Sequence, residues 1–254
     1  MRHLFSNEGE AALADVMARL PLLAFDYDGT LAPIVARPED ARVPMPVAQR
    51  LEKLAERLPV AIISGRAVAD VAARLSFQPA HIIGNHGAED PGDPVRVQAA
   101  SAALDPLRGR LAQDMALWSR EGIQVEDKGA SVALHYRLAR NRDRARTLIL
   151  ALLEEVAGGF KVFGGKMVIN VMPCDAADKG RALVGLVARL GASSAVFVGD
   201  DVNDEPAFAC AAPDWLTVRI GREDPASVAR FFLDSTVDVP LMLDRMLAAL
   251  DAGR

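Results

Sequence analysis

The stretch LLAFDYDGT, residues 22–30, joins four consecutive apolar residues to two carboxylates, a glycine and a threonine. A short, wholly apolar run is typical of a parallel strand covered on both faces, so we expect a strand over 22–25. Gly29 lets the chain turn sharply after that strand. Asp26 and Asp28 are then placed at the carboxyl end of a buried strand, where open α/β sheets bind their ligands.

The same succession of apolar run, polar cluster and amphipathic helix recurs along the chain. Strands are predicted at 60–63, 81–83 and 195–198, and helices over 13–20, 47–58, 68–75 and 183–190. This alternation predicts a parallel sheet with helices on both faces. Each further strand ends at a polar cluster: Ser64-Gly65-Arg66, Gly84-Asn85-His86-Gly87 and Gly199-Asp200-Asp201.

The middle of the chain has a different pattern. The expected order is a helix (99–118), a hairpin (124–128 and 131–137), a second helix (141–156) and a second strand pair (161–163 and 167–171). This αββαββ succession predicts a small α+β module inserted into the parallel-sheet domain. The predicted fold is α/β: a Rossmann-like parallel-sheet core at 1–92 and 173–254, with an inserted α+β cap domain at 93–172.

Composition limits the classes of partner. The 254 residues carry a formal net charge of −5 and no cluster of basic residues, so a nucleic-acid partner is not expected. No apolar run is long enough to cross a membrane, and no signal peptide is recognised at 1–10. A cytoplasmic, monomeric protein is the expectation. Cys174 and Cys210 do not form a metal-spaced set and are expected to be buried, reduced thiols.

The carboxylate pair Asp26 and Asp28 suggests phosphoryl transfer. Asp26 can attack phosphorus as a nucleophile, and Asp28 can protonate the leaving oxygen and later deprotonate water. Aspartate and glycine also favour turns, so a simple strand-end turn is the alternative for this motif alone.

Other strand ends supply matching groups. Ser64 can donate to a phosphate oxygen, although helix capping alone would also explain it. Lys179 opens a predicted helix, where a cation opposes the helix dipole at a cost of about 0.3–1 kcal/mol, so we expect it to pair with an anion elsewhere. Three carboxylates within 200–204 repel one another, and a hard divalent cation relieves that repulsion. The alternatives are a solvated lysine and an acidic capping loop.

These clusters, in this order, resemble the haloacid dehalogenase superfamily of phosphatases. The resemblance implies that Asp26 is the nucleophile and Asp28 the general acid and base. It also implies that phosphate is bound by Thr30, Ser64 and Lys179. Mg²⁺ would be held by Asp26, the Asp28 backbone carbonyl and Asp200, with Asp201 or Asp204 in support.

A closer resemblance is to the trehalose-6-phosphate phosphatase family. It is carried by FDYDGTLAPI (25–34), IISGR (62–66), GNHG (84–87), VEDKGASVALHYR (125–137), GGKMVINV (164–171) and FVGDDVNDEPAF (197–208). The residues that this resemblance assigns to substrate are Asn85, His86, Gly87, Glu126, Lys128 and Arg137. Arg66 and Asn170 are further candidate substrate-binding residues. The family usually has a glutamate and, two positions later, a basic residue where this chain has Asn170 and Met172.

The leading hypothesis is therefore a Mg²⁺-dependent phosphatase that hydrolyses trehalose 6-phosphate, a small phosphorylated disaccharide. One alternative keeps the chemistry and changes the substrate to sucrose phosphate, a glycosyl phosphoglycerate or a monosaccharide phosphate. A different class is a non-catalytic sugar-phosphate sensor or a phosphotransferase. The paired carboxylates argue against a sensor, since binding alone needs no nucleophile.

Overall fold

The computed structural model describes residues 1–156, 159–165, 167–222 and 224–252. The chain forms two compact units, one from residues 1–87 with 177–254 and the other from residues 88–176. The predicted fold class is confirmed, since a parallel sheet and a separate antiparallel sheet are both present.

The sheet of the first unit has seven parallel strands in the order β1-β11-β10-β9-β2-β3-β4. Their bounds are β1 (Arg2–His3), β2 (Leu22–Phe25), β3 (Val60–Ile63), β4 (His81–Ile83), β9 (Ala195–Gly199), β10 (Leu216–Ile220) and β11 (Phe231–Leu233). The four predicted strands, β2, β3, β4 and β9, are all present. The outer strands β1, β10 and β11 were not predicted.

Helices cover both faces of this sheet: α1 (Asn7–Met17), α2 (Met45–Ala55), α3 (Val68–Ala72), α8 (Lys179–Leu190), α9 (Glu205–Ala209) and α10 (Val239–Ala252). Strand β2 shows why the sheet needs both layers. Leu23 and Phe25 pack into one apolar core, with α1, α2 and α10, while Leu22 and Ala24 pack into the other, with α8 and α9. An apolar run without alternation is therefore buried on both faces, as expected.

The second unit has a four-stranded antiparallel sheet in the order β5-β6-β8-β7. Its elements are α4 (Pro94–Ala103), α5 (Asp105–Gln113), α6 (Met115–Glu121), β5 (Gln124–Asp127), β6 (Val132–His135), α7 (Arg142–Glu155), β7 (Phe160–Gly165) and β8 (Val168–Pro173). One sheet face packs on the helices through Val132, Leu134, Ile169 and Val171. The other face carries polar residues.

The prediction of one continuous helix over 99–118 is wrong. The segment forms three helices, α4, α5 and α6, which meet at Leu104 and Asp114. Pro106 lies in the first turn of α5, where its missing N–H is tolerated, but it could not continue a helix that began at α4.

The two cysteines are exposed, so the expectation of buried thiols is also wrong. Cys174 comes directly after β8, and Cys210 is the C-cap residue of α9. Each cysteine therefore lies immediately after the end of a strand or a helix. Among the described residues, no helix combines the length and the apolar character needed to span a membrane.

Candidate active site

The strands of the first unit bring several predicted residues to one rim. Phe25 lies between Ile62 and Val198 in neighbouring strands, so the residues that follow these strands emerge together. The backbone hydrogen bonds continue past β2, because Asp26 N–H donates to the Val198 carbonyl at 2.9 Å. Lys179 comes to the same rim as the first residue of α8, and Asp178 caps this helix.

The centre of the site is a buried lysine between two carboxylates. Lys179 Nζ donates to Asp26 Oδ1 and to Asp204 Oδ1, both at 2.6 Å. These side chains are 4%, 7% and 0% exposed, respectively. Burial alone would lower the pKa of Lys179, but the charges of Asp204 and Asp26 outweigh it and raise the pKa. The lysine is therefore a fixed positive charge.

A third carboxylate completes a group of acidic oxygens. Among the described residues, Asp26, Asp200 and Asp204 each place one carboxylate oxygen within 4.8 Å of the others. Burial, followed by the charges of Asp204 and Asp201, raises the pKa of Asp200 to about 7. Burial also raises the pKa of Asp26, despite the opposing charge of Lys179.

The donor set fits a hard divalent cation. Lys179 contributes a single positive charge to three clustered carboxylates, and the pKa of Asp200 is raised first by burial and then by its acidic neighbours. Carboxylate oxygens are the ligands that Mg²⁺ and similar ions prefer. The cluster could therefore hold a metal ion.

Two glycines make room for these carboxylates. Gly29 has φ +82°, and a Cβ at this position would overlap the carboxylate of Asp200. A Cβ at Gly199 would likewise overlap the carboxylate of Asp204. Thr30, which is fully buried, donates its hydroxyl to Asp200 Oδ1 at 3.4 Å. The DGT and GDD turns are therefore sterically matched to each other.

The structure distinguishes Asp201 from Asp204, the two carboxylates that the sequence left as alternative supporting ligands of the metal ion. Asp204 Oδ2 accepts the N–H groups of Asp200 at 2.9 Å and Asp201 at 3.0 Å. Asp201 is exposed, and its carboxylate accepts the N–H of Val202 at 2.7 Å. The structure thus brings Asp204 into the acidic group, whereas Asp201 caps the turn that follows β9.

Asp28 has a partner of its own. Its two oxygens accept from Arg66 Nε at 2.6 Å and from Arg66 Nη2 at 2.7 Å. Arg66 was predicted to bind substrate, and its pairing with Asp28 was not anticipated. A basic residue two positions after Ser64, at a neighbouring strand end, is the only sequence signal that hinted at it.

The loops after β3 and β4 are joined by backbone hydrogen bonds. Ser64 is fully buried, and its hydroxyl accepts the Arg66 N–H at 3.1 Å. Asn85 and His86 both have positive φ, as does Gly87. Their backbone N–H groups donate to the carbonyls of Arg66, Ser64 and Gly84 at 2.8–2.9 Å. The predicted residues 85–87 are therefore held in an uncommon conformation against the Ser64 turn.

In the second unit, the polar face of the sheet carries the predicted sugar-contacting residues. Ala133 lies opposite both Glu126 and Asn170, which places these two on the same face. Glu126 contacts His135 at 2.8 Å and Lys128 at 3.8 Å. The sequence had grouped Glu126 with Lys128 and, separately, His135 with Arg137; the register puts Glu126 and His135 together. Arg137 is exposed in the turn after β6.

Two further features of the second unit were not anticipated. Arg108 of α5 holds the hairpin turn, since it donates to the Asp127 carboxylate at 2.7 Å and to the Gly129 carbonyl at 2.6 Å. Met172, which stands where the family usually has a basic residue, is buried in a small apolar cluster with Ala100 and Ala130.

The seven-stranded parallel sheet and the separate antiparallel module form a fold of the haloacid dehalogenase type. Solved structures share this fold. A trehalose-6-phosphate phosphatase related protein superposes with a TM-score of 0.72 at 23% identity, covering 91% of this chain and 99% of the other. The C-terminal domain of a Candida albicans trehalose-6-phosphate phosphatase gives 0.74 at 21% identity, covering 94% and 96%.

A sequence model of the trehalose-phosphatase family matches residues 24–221, and the chain belongs to that family. The resemblance predicted from the motifs is thus confirmed. A trehalose-phosphate phosphatase of Mycobacterium tuberculosis is 34% identical over 252 residues, covering 94% of this chain. The chain spans 64% of the length of that relative.

Proposed function

We propose that this chain hydrolyses trehalose 6-phosphate to trehalose and phosphate through an aspartyl-phosphate on Asp26. Family membership supports this substrate, since relatives from Mycobacterium bovis and Mycobacterium tuberculosis are named trehalose-phosphate phosphatases. The observation that carries the chemistry is the buried cluster of Lys179 with Asp26 and Asp204, where Nζ lies 2.6 Å from both carboxylates. Binding of a sugar alone would not need it.

In the first half-reaction, Asp26 attacks the phosphorus and Asp28 donates a proton to the leaving sugar oxygen. Lys179 orients Asp26 through Oδ1 and, with Ser64 and Thr30, binds the phosphate oxygens. In the second half-reaction, Asp28 removes a proton from the water that hydrolyses the aspartyl-phosphate. The same side chain thus serves as acid and then as base.

Mg²⁺ is the proposed cofactor, held by Asp26, Asp200, Asp204 and the Asp28 backbone carbonyl, with Asp201 supporting from its turn. When bound, it supplies positive charge to the phosphate oxygens, which removes the objection that an anion attacks an anion. The fit rests on the hard oxygen ligands and their excess negative charge.

Substrate recognition is assigned to two sets of residues. Asn85, His86 and Gly87 would position the substrate in the first unit. In the second unit, Glu126, Lys128, Arg137 and Asn170 would contact the sugar, since carboxylates, cations and amides suit hydroxyl groups that both donate and accept. Residues 93–172 are accordingly proposed as the cap domain for specificity, and 1–92 with 173–254 as the phosphatase core.

The test is phosphate release from a panel of esters, each with Mg²⁺ and with EDTA. Trehalose 6-phosphate should be hydrolysed over many turnovers, faster than sucrose phosphate, a glycosyl phosphoglycerate or glucose 6-phosphate, and EDTA should abolish release. Many turnovers of free phosphate would exclude a sensor and a phosphotransferase. The substrate assignment fails if trehalose 6-phosphate is turned over no faster than glucose 6-phosphate, which Asn170 and Met172 make worth testing.

A further inference from the structure

The two carboxylates of the DYD motif have different partners. Asp26 lies against Lys179, whereas the Asp28 side chain is bound by Arg66, through Nε at 2.6 Å and Nη2 at 2.7 Å. This two-pronged geometry matches the planar guanidinium to the planar carboxylate, and it fixes orientation as well as distance.

Arg66 is itself held from three other directions. Its Nη1 donates to Asp70 Oδ2 at 2.8 Å, and its Nη2 donates to the Pro38 carbonyl at 2.8 Å. The guanidinium also lies 5.4 Å from the centroid of the Tyr27 ring. Four of its five N–H groups are therefore engaged within the first unit.

Asp70 is fixed in turn. Arg74, four residues further along the chain and just past the end of α3, donates to Asp70 Oδ1 at 2.6 Å. Burial opposes ionisation of Asp70, but hydrogen bonds from Arg74 and Arg66 outweigh it and lower the pKa of Asp70. Asp70 is thus a stable anion that braces Arg66, and the chain Asp28–Arg66–Asp70–Arg74 is a continuous set of ion pairs.

We propose that Arg66 is a positioning residue that sets the orientation of the Asp28 carboxylate, and that it is not a ligand of the substrate. The inference rests on the proposed function, which makes Asp28 the general acid and base. A group in that role must lie within about 2.6–3.2 Å of the atom that exchanges the proton. The Asp28 side chain is 41% exposed, so packing alone does not select its rotamer, whereas the Arg66 fork does.

A ligand role would have to rest on the one remaining Nη1 N–H, or require Arg66 to release these contacts. Its side chain is only 13% exposed, and its acceptors are Asp28, Asp70 and the Pro38 carbonyl. In the positioning role, one of the two hydrogen bonds from Arg66 can break, which frees an Asp28 oxygen for the leaving group. The other hydrogen bond keeps the carboxylate in place. Arg66 then affects chemistry more than binding.

The test compares Arg66→Gln with wild type on two substrates. Trehalose 6-phosphate has a poor leaving group that needs a proton, whereas p-nitrophenyl phosphate releases a stable anion that needs none. We expect kcat on trehalose 6-phosphate to fall roughly 10- to 100-fold, part of the usual contribution of general acid–base catalysis. On p-nitrophenyl phosphate, only the second half-reaction needs Asp28, so kcat should fall by a clearly smaller factor than on trehalose 6-phosphate, and KM should stay within about twofold on both.

The chain contains a matched control. Arg50 of α2 forms the same fork with Asp244 of α10, through Nε at 2.7 Å and Nη2 at 2.9 Å. Arg50→Gln removes an equivalent ion pair from the same unit at a place unconnected with Asp28. It should leave kcat on both substrates unchanged. A loss seen only in Arg66→Gln therefore cannot result simply from removing a bidentate arginine–carboxylate pair.

Asp28→Asn supplies the decisive double-mutant comparison. If Arg66 acts through Asp28, adding Arg66→Gln to Asp28→Asn has no further effect on the ratio of the two kcat values. Arg66→Lys keeps the cation but not the fork, so it should recover only part of the ratio. Should Arg66→Gln fail to fold by circular dichroism, Asp70→Asn, which removes the brace of Arg66, should shift the ratio in the same direction.

Two outcomes would overturn the proposal. An equal rise in KM for both substrates would mark Arg66 as a direct phosphate ligand, and an unchanged kcat on trehalose 6-phosphate would remove any role. Failure of the proposed function is distinguishable from both. If the wild-type protein hydrolyses no ester, both the proposed function and the role of Arg66 are refuted. If it prefers another sugar phosphate, only the substrate assignment is refuted. The ratio of kcat values is then measured with that ester in place of trehalose 6-phosphate.

Discussion

The rim of the seven-stranded sheet and the polar face of the four-stranded sheet both gather charged residues, but in opposite environments. At the rim, Lys179 and its two carboxylates are at most 7% exposed. On the polar face, the contact between Glu126 and His135 joins side chains that are 52% and 38% exposed. Charges are far more strongly coupled where water is excluded, so the rim should tolerate substitution much less than the face.

The largest expected effect is at the rim. Asp26→Asn removes the nucleophile but keeps a side chain of nearly the same shape, and Lys179 keeps its contact with Asp204. We expect turnover to fall by at least roughly 10⁴-fold, as for other enzymes that lose a nucleophile, with the far-ultraviolet circular dichroism unchanged. Steady-state phosphate release measures this, and wild-type turnover in the variant would refute the covalent role.

The next prediction compares one lysine from each region. Lys179→Met leaves Asp26 and Asp204 buried without their cation, which should cost about 3–5 kcal/mol in the free energy of unfolding. Lys128→Met on the polar face removes a 3.8 Å contact with the exposed Glu126 and should cost no more than about 1 kcal/mol.

Urea unfolding of both lysine variants in EDTA makes that measurement without a contribution from metal binding. Equal losses of stability in the two variants would show that burial does not determine how much the ion pairs of the rim contribute to the free energy of unfolding.

The rim should also couple metal binding to pH. The pKa of Asp200 is raised to about 7 in the folded protein, against about 3.8 when unfolded, so folding takes up a proton between these values. Stability in EDTA should therefore fall as pH rises from about 4 to about 7, by at most about 1.4 kcal/mol per pH unit from this group. A cation replaces that proton, so the gain in Tm on adding Mg²⁺ should be larger at pH 8 than at pH 6.

Differential scanning fluorimetry with Mg²⁺ and with EDTA, across this pH range, tests the coupling. Asp200→Asn cannot titrate, so in that variant the difference between the two conditions should depend less on pH, and Asp26, whose pKa is also raised, should retain the remainder. A gain in Tm that is the same at pH 6 and pH 8 in wild type would contradict the inferred proton release.

The regions also differ in how far sequence could predict them. Strand β2 was placed at its observed bounds because a run of four apolar residues is short for a helix and typical of a strand buried on both faces. The rim residues could be proposed together because parallel strands end at one edge. The pairing of Arg66 with Asp28 could not, since it depends on side-chain directions across 38 residues of chain.

The second unit shows a different limit. The helix that was predicted over 99–118 is broken at Leu104 and Asp114, which the weak apolar periodicity did not signal. The grouping of Glu126 with His135 depends on the register between β5 and β6, and the alternation within each strand cannot supply that register. Sequence patterns thus predict elements better than the contacts between them.

The smallest expected effect is on the polar face, where Glu126→Gln removes one exposed carboxylate that would contact the sugar. A lost hydrogen bond of about 0.5–1.5 kcal/mol predicts a fall of roughly 2- to 15-fold in kcat/KM on trehalose 6-phosphate. On p-nitrophenyl phosphate, which has no sugar, kcat/KM should be unchanged.

Glu155 of α7 is a matched control for this prediction, because it is 63% exposed and forms an ion pair with Arg110 at 3.0 Å. It lies on the helix layer, away from the polar face. Glu155→Gln should therefore leave kcat/KM on both substrates at the wild-type value. If the two glutamine variants behaved alike on trehalose 6-phosphate, the polar face would have no part in recognising the sugar, and specificity would have to come from the first unit, where residues 85–87 are held against the Ser64 turn.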